Sequence, residues 1–142
     1  MRVLLIYPNI TDYPIDISYG LAAISALLKK SGHTVQLFDC TFTSNWKELG
    51  RIVHTFRPQI TGIPVASNDF HFAVQIASFI KERQSIPVVA GGFHVTMAPE
   101  DIMQHPCFDI AVIGEGEHSF LEITESIEKD PSGEGLKDIA GI

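Results

Sequence analysis

Five short apolar runs punctuate the chain: VLLIY at 3–7, TVQLF at 34–38, ITGIPV at 60–65, PVVA at 87–90 and DIAVIG at 109–114. The first, fourth and fifth are apolar at successive positions, so both faces of the strand need cover. Parallel strands between two helix layers meet that condition. Between the runs the apolar spacing changes to three and four residues, at Leu21, Ile24, Leu27 and Leu28, at Trp46, Leu49, Val53 and Phe56, and at Ala73, Ile76, Ala77 and Ile80. Each series marks one buried helix face. Phe120, Thr124 and Ile127 predict a last helix, and APEDIMQ a short fourth one. Gly32 stands where a helix C-terminus favours glycine, and Pro58 and Pro87 stop helices ahead of strands.

Five strand–helix pairs with right-handed crossovers predict an α/β architecture, a flavodoxin-like, doubly wound, five-stranded parallel sheet of order 2-1-3-4-5. Ligands of such sheets bind beyond the carboxyl ends of the strands, near the switch point between the first and third. The loops to inspect are therefore PNITDYPIDISYG, ASND, GGFHVTMAPE and GEGE.

At 142 residues the chain has the size of one domain with a proper core. Its 10 Lys and Arg against 17 Asp and Glu leave a formal charge of −7 with no basic run, which argues against a nucleic-acid partner. The N-terminal MRVLLIYPNI is too short an apolar stretch for a signal peptide or a membrane span, and reads as a strand. Cys40 and Cys107 stand far apart outside any CxxC arrangement, so a disulfide framework or zinc site is not indicated and a cytoplasmic location is expected.

The loops exclude several cofactors. No glycine-rich dinucleotide fingerprint follows the first strand, and no hydroxyl-rich run suits FMN there. Pro8, Asn9 and Val65 occupy places where a phosphoacceptor receiver would hold acidic residues. What the loops offer is bare backbone: Gly91 and Gly92 after the fourth strand, Gly114 and Gly116 after the fifth. A ligand can lie against main chain at such places, and two neighbouring ledges suit a broad ring system. The same residues also read as ordinary turns. Ser67 and Asn68 are natural N-caps for the third helix, Tyr19 and Gly20 are first-turn packing residues, and Glu115 and Glu117 suit a helix N-terminus.

LLIYPN, SYGLAAISALLKKSGHTV, VAGGFHVTMAPE and VIGEGEHSFLEI, in this order and spacing, resemble the N-terminal cobalamin-binding domain of cobalamin-dependent radical SAM enzymes, a family of methyltransferases and tetrapyrrole cyclases. The resemblance covers residues 1–128 and makes 129–142 a linker toward a radical SAM domain that is not in this chain. It implies cobalamin as the cofactor of this domain, with an iron–sulfur cluster and S-adenosylmethionine held by the following barrel. Gly91 and Gly92 would lie under the corrin or its nucleotide tail, with Phe93 and His94 at the ring edge. Asn9, Tyr19 and Gly20, Ala66, Ser67 and Asn68, and Gly114, Gly116 and Glu117 would complete the cofactor contacts.

Two departures qualify the resemblance. Corrinoid carriers with a D-x-H-x-x-G motif ligate cobalt from below through its histidine, whereas NITDYPIDISYG has none, so base-off binding without a protein imidazole is expected. No CxxxCxxC cluster motif exists here, so no catalytic residue is assigned and the chain alone is expected to be inactive. The alternative function is a flavodoxin-like module without cofactor, serving substrate recognition or interdomain docking.

Overall fold

The computed structural model describes residues 1–9, 18–41 and 46–142. Asp12 and Asp16, most of the loop after the first strand, and 42–45 lie outside them. The sheet has five parallel strands in the order β2-β1-β3-β4-β5: β1 (Arg2–Tyr7), β2 (Thr34–Asp39), β3 (Ile60–Pro64), β4 (Val88–Gly91) and β5 (Ile110–Ala111). Helices α1 (Tyr19–Lys30), α2 (Trp46–Phe56), α3 (Phe70–Lys81), α4 (Phe93–Met97), α5 (Pro99–Met103) and α6 (Gly116–Lys129) follow in the crossovers. The expected strand order and fold class hold.

Strand β1 shows why. Val3, Leu4, Leu5 and Ile6 are all fully buried, and their side chains alternate between two cores. Val3 and Leu5 pack with Leu21 and Leu28 of α1 and Phe120, Ile123 and Ile127 of α6. Leu4 and Ile6 pack with Leu49 and Val53 of α2 and Ala73, Ile76 and Ile80 of α3. A two-residue side-chain period on a strand covered twice forces this division.

The fifth strand is shorter than the apolar run 109–114 suggests: only Ile110 and Ala111 pair with Val89 and Ala90. Single backbone bonds extend it, from Asp109 to Val88 and from Val112 to Ala90. Asp109 itself is engaged elsewhere. Its carboxylate accepts from the Val88 amide at 2.7 Å and from Lys81 Nζ at 2.8 Å, tying the ends of α3, β4 and β5 together. The tail returns to this edge. After a 3-10 turn at Glu134–Asp138, Gly141 O accepts from the Ile113 amide and Ala140 O from Ser119 Oγ. Leu136 and Ile139 pack against the α1–α6 core.

Two local readings are corrected. The N-cap position of the third helix is Asp69, just past the expected Ser67 and Asn68, and its side chain makes no capping hydrogen bond. The segment expected as a loop ahead of the short fourth helix is itself a turn of helix, α4, begun by Gly92 at φ +97° and broken at Ala98, after which Pro99 opens α5. Proline suits that first position because its missing N–H has no partner to lose.

Gly62, in the middle of β3, faces the ring of Phe120. A β-carbon built there would stand 2.6 Å from Phe120 Cε2 and 3.0 Å from Leu5 Cδ2. Gly62→Ala is expected to cost about 1–3 kcal/mol through overpacking, read as a lower denaturant midpoint. An unchanged midpoint would mean that α6 can move off the sheet freely.

Cys40 closes β2 in the α2–α3 core, and burial, helped by the Asp39 charge, pushes its thiol from 9.0 up to about 12. The neutral thiol is thus favoured by folding. Its contribution is complete below pH 9 and is lost as pH rises toward 12. The stability difference between wild type and Cys40→Ala is expected to shrink from pH 8 to pH 10.5 in paired melts; a constant difference would refute a thiol held neutral by the fold.

Candidate cofactor-binding site

A cleft of about 180 Å³ opens at the carboxyl ends of the strands, between the sheet and the N-terminal turns of α1 and α6. Its floor is β3 and β4 backbone with Gly62, Ile63, Pro64, Gly91 and Gly92. Its walls are Ser18, Gly20, Leu21 and Ile24 on one side, and Val112, Gly114, Glu115, Gly116, Glu117 and Phe120 on the other. Leu5 and Val89 close the inner end. The side chains at the bottom are aliphatic or aromatic, and the polar groups sit at the mouth. Such a lining takes a flat apolar body and leaves its polar edge outside.

Each wall is built for close approach. Ser18 caps α1 by accepting from the Leu21 amide at 3.4 Å, so the helix begins at the cleft edge. Gly91 has room above it: a β-carbon there would meet Val112 at 3.8 Å, ordinary contact, while pointing into the cleft. Gly92 does not. Its φ is +97°, and a β-carbon would stand 3.2 Å from both Val65 N and Val65 O. The backbone reason is the tight junction of two strand ends, where the Val65 amide donates to Gly91 O at 2.7 Å and the His94 amide donates to Val65 O at 3.0 Å.

Of the residues expected to contact a cofactor, Gly20, Gly91, Gly92, Gly114, Gly116 and Glu117 come together in this cleft. Tyr19 stands at its rim, 81% exposed, and Phe93 is 71% exposed on α4. The others lie apart from the cleft lining. Asn9 is buried and donates from Nδ2 to Thr41 Oγ1 at 2.9 Å, tying the ends of β1 and β2. Ala66, Ser67 and Asn68 form the β3–α3 connection, half-buried at Ala66 and exposed beyond. His94 turns to the α3 side of the sheet. Its ring stacks on Phe70 at 4.6 Å and its Nδ1 lies 3.1 Å from Ser67 Oγ.

Sequence reasoning passed over Leu5, Leu21, Ile24, Gly62, Val112 and Phe120 as parts of a site, because each reads as core. One signal was available: a glycine inside an apolar strand run marks a close approach of something to the backbone. Ile24 carries none: it sits in the apolar stripe of α1, and only the structure shows it half-buried.

Cys40 and Cys107 are free and buried, just after β2 and ahead of β5 at opposite edges of the sheet. Among the described residues no three His, Cys, Asp or Glu side chains cluster as metal ligands, and no helix is long and apolar enough to cross a membrane.

Comparison with known proteins agrees with this geometry. Residues 15–124 match the family model of the B12 binding domain. The chain is 32% identical over 126 residues, 87% of its length, to an uncharacterized methyltransferase of Pyrococcus horikoshii, of which it spans 27%. It is 28% identical over 138 residues, 91% of its length, to the anaerobic magnesium-protoporphyrin IX monomethyl ester cyclase of Rubrivivax gelatinosus, of which it spans 25%. The chain thus spans about a quarter of these relatives. Among solved structures, the radical S-adenosylmethionine methyltransferase TsrM of Kitasatospora setae, with cobalamin and a four-iron, four-sulfur cluster bound, superposes with a TM-score of 0.84 at 25% identity, over 99% of this chain and 26% of that one. With its parallel sheet, its glycine-floored cleft and a match over most of its length, the chain belongs to the B12-binding domain family.

Proposed function

We infer that this domain holds cobalamin base-off, with the nucleotide tail in the cleft between α1 and α6 and the corrin across the glycine ledges, as part of a radical SAM enzyme. The observation that carries the reading is the cleft floor, where Gly62, Gly91 and Gly92 leave the backbone of β3 and β4 bare beneath an apolar slot. A flat heteroaromatic fits such a slot because its faces need only van der Waals contact, while the polar mouth is free to meet amide and phosphate groups. The exposed Tyr19 and Phe93 at the same end supply apolar surface for a larger ring. Cobalamin, when bound, supplies an alkyl-carrying and electron-carrying cobalt centre. This chain's residues supply shape, orientation and exclusion of water below it.

Base-off binding is supported by what His94 does. Its ring is held by Phe70 and Ser67 on the α3 side, and Nε2 is buried, so it faces away from the cleft. The loop NITDYPIDISYG contains no histidine to take the lower cobalt position.

The chain's quarter share of its relatives supports a second, larger part of the parent enzyme, and the cluster and radical S-adenosylmethionine chemistry of TsrM support placing both there. We take 1–128 as the cobalamin domain and 129–142 as the connecting segment, which here packs on the α1–α6 core. Two free thiols support a reducing, cytoplasmic setting. Methyl transfer and ring formation are the two reactions named among the relatives, and the choice between them belongs to the barrel.

Hydroxocobalamin titrated into the purified chain is expected to bind weakly with a base-off absorption spectrum; a base-on spectrum of the bound species would contradict the reading. Gly91→Val is the sharper probe than Gly92→Val, because the fold tolerates a β-carbon at 91 and not at 92. Gly91→Val should weaken cobalamin binding at least tenfold with its melting temperature held, and unchanged affinity would remove the tail from the cleft.

Cluster ligation needs thiolates, and only two cysteines are present. The chain supplied with iron, sulfide and reductant is therefore expected to cleave no S-adenosylmethionine beyond a protein-free control. Turnover above that control would refute a carrier role.

A further inference from the structure

Three connections at the carboxyl end of the sheet are tied to one another through α4. On one side, the His94 amide and ring engage Val65 O and Ser67 Oγ of the β3–α3 connection. On the other, the Thr96 hydroxyl donates to Gly92 O at 3.0 Å and accepts from the Gly114 amide at 2.9 Å. A hydroxyl has one proton to give and lone pairs to receive, so both bonds coexist. They join the β4–α4 turn to the β5–α6 turn across 18 residues of sequence.

The Gly114 bond bears on the cleft directly, since Gly92 and Gly114 both line it. Gly114 has φ +79°, and no heavy atom lies within 4 Å of where its β-carbon would stand, so side-chain packing does not hold it. Val112 and Ile113 before it are fastened by backbone bonds to Ala90 and Gly141. At Gly114 the fastening passes to Thr96. Thr96 is exposed and stands outside both buried cores, so its hydroxyl is free to serve position more than packing.

We propose that Thr96 is a positioning residue: its hydroxyl fixes Gly114 against Gly92 and so sets the width of the cleft for the cofactor's flat tail. The proposal rests on the cobalamin reading above, and its test separates the two. Valine keeps the threonine shape without the hydroxyl, alanine removes the shape too, and serine restores the hydroxyl alone.

Hydroxocobalamin affinity is measured by absorbance for wild type, Thr96→Val, Thr96→Ala and Thr96→Ser, alongside melting temperature and hydrogen exchange of the Gly114 amide by NMR. Loss of one neutral hydrogen-bonded link corresponds to roughly a tenfold weaker Kd. That loss is expected in the valine and alanine variants, with faster Gly114 exchange, near-native melting and recovery in the serine variant. Wild-type affinity in both hydroxyl-free variants, or unfolding of both, overturns the assignment; if only valine unfolds, alanine carries the comparison. Should wild type bind no hydroxocobalamin, the cofactor reading fails and Gly114 exchange decides alone. Faster exchange in the valine and alanine variants with recovery in serine upholds the tie, and unchanged exchange removes it.

Discussion

The bilateral burial of β1 is the constraint from which the rest follows. With four successive residues wholly out of water, the strand needs an apolar layer on each face. The amphipathic stripes of α1 and α6 meet one need, those of α2 and α3 the other. Both faces being spent on packing, polar chemistry is left only the strand ends. The amino ends carry side-chain ties such as Asp109 with Lys81 and Val88. The carboxyl ends are where glycines keep the backbone bare.

That arrangement leaves the shape of the cleft to backbone more than to side chains. For the cobalamin tail proposed above, a flat slot of fixed width is needed, and backbone geometry supplies it more rigidly than side chains do, because glycine ledges have no rotamers to reorganise. Gly62 shows the economy of the design. The missing side chain that lets Phe120 close over β3 also lowers the floor of the cleft, so one residue serves both core density and cavity shape.

The strand order and the glycine turns could be read from the amino-acid pattern because both rest on local rules: hydrophobic period, helix stops and φ preferences. Which way the loop residues face could not. His94 and Gly92 are two positions apart, yet one ends on the α3 side and the other in the cleft, because Gly92 at φ +97° starts a helical turn that carries His94 round to Phe70. No periodicity announces a one-turn helix. Phe120 and Ile24 hid for the opposite reason: a residue that lines a slot beside the core has the same hydrophobic spacing as one inside it.

The folded-back tail has a consequence for the sheet's outer edge. An edge strand offers unpaired backbone groups to any passing strand, and proteins protect such edges by keeping them short or by covering them. Strand β5 does both: it is two residues long, and the carbonyl of Gly141 takes the Ile113 amide just beyond it. A chain trimmed at residue 128, where the strand–helix repeat ends, would lose that cover together with Leu136 and Ile139. The Ile113 amide would then lose its partner, and the short length of β5 alone would protect that edge.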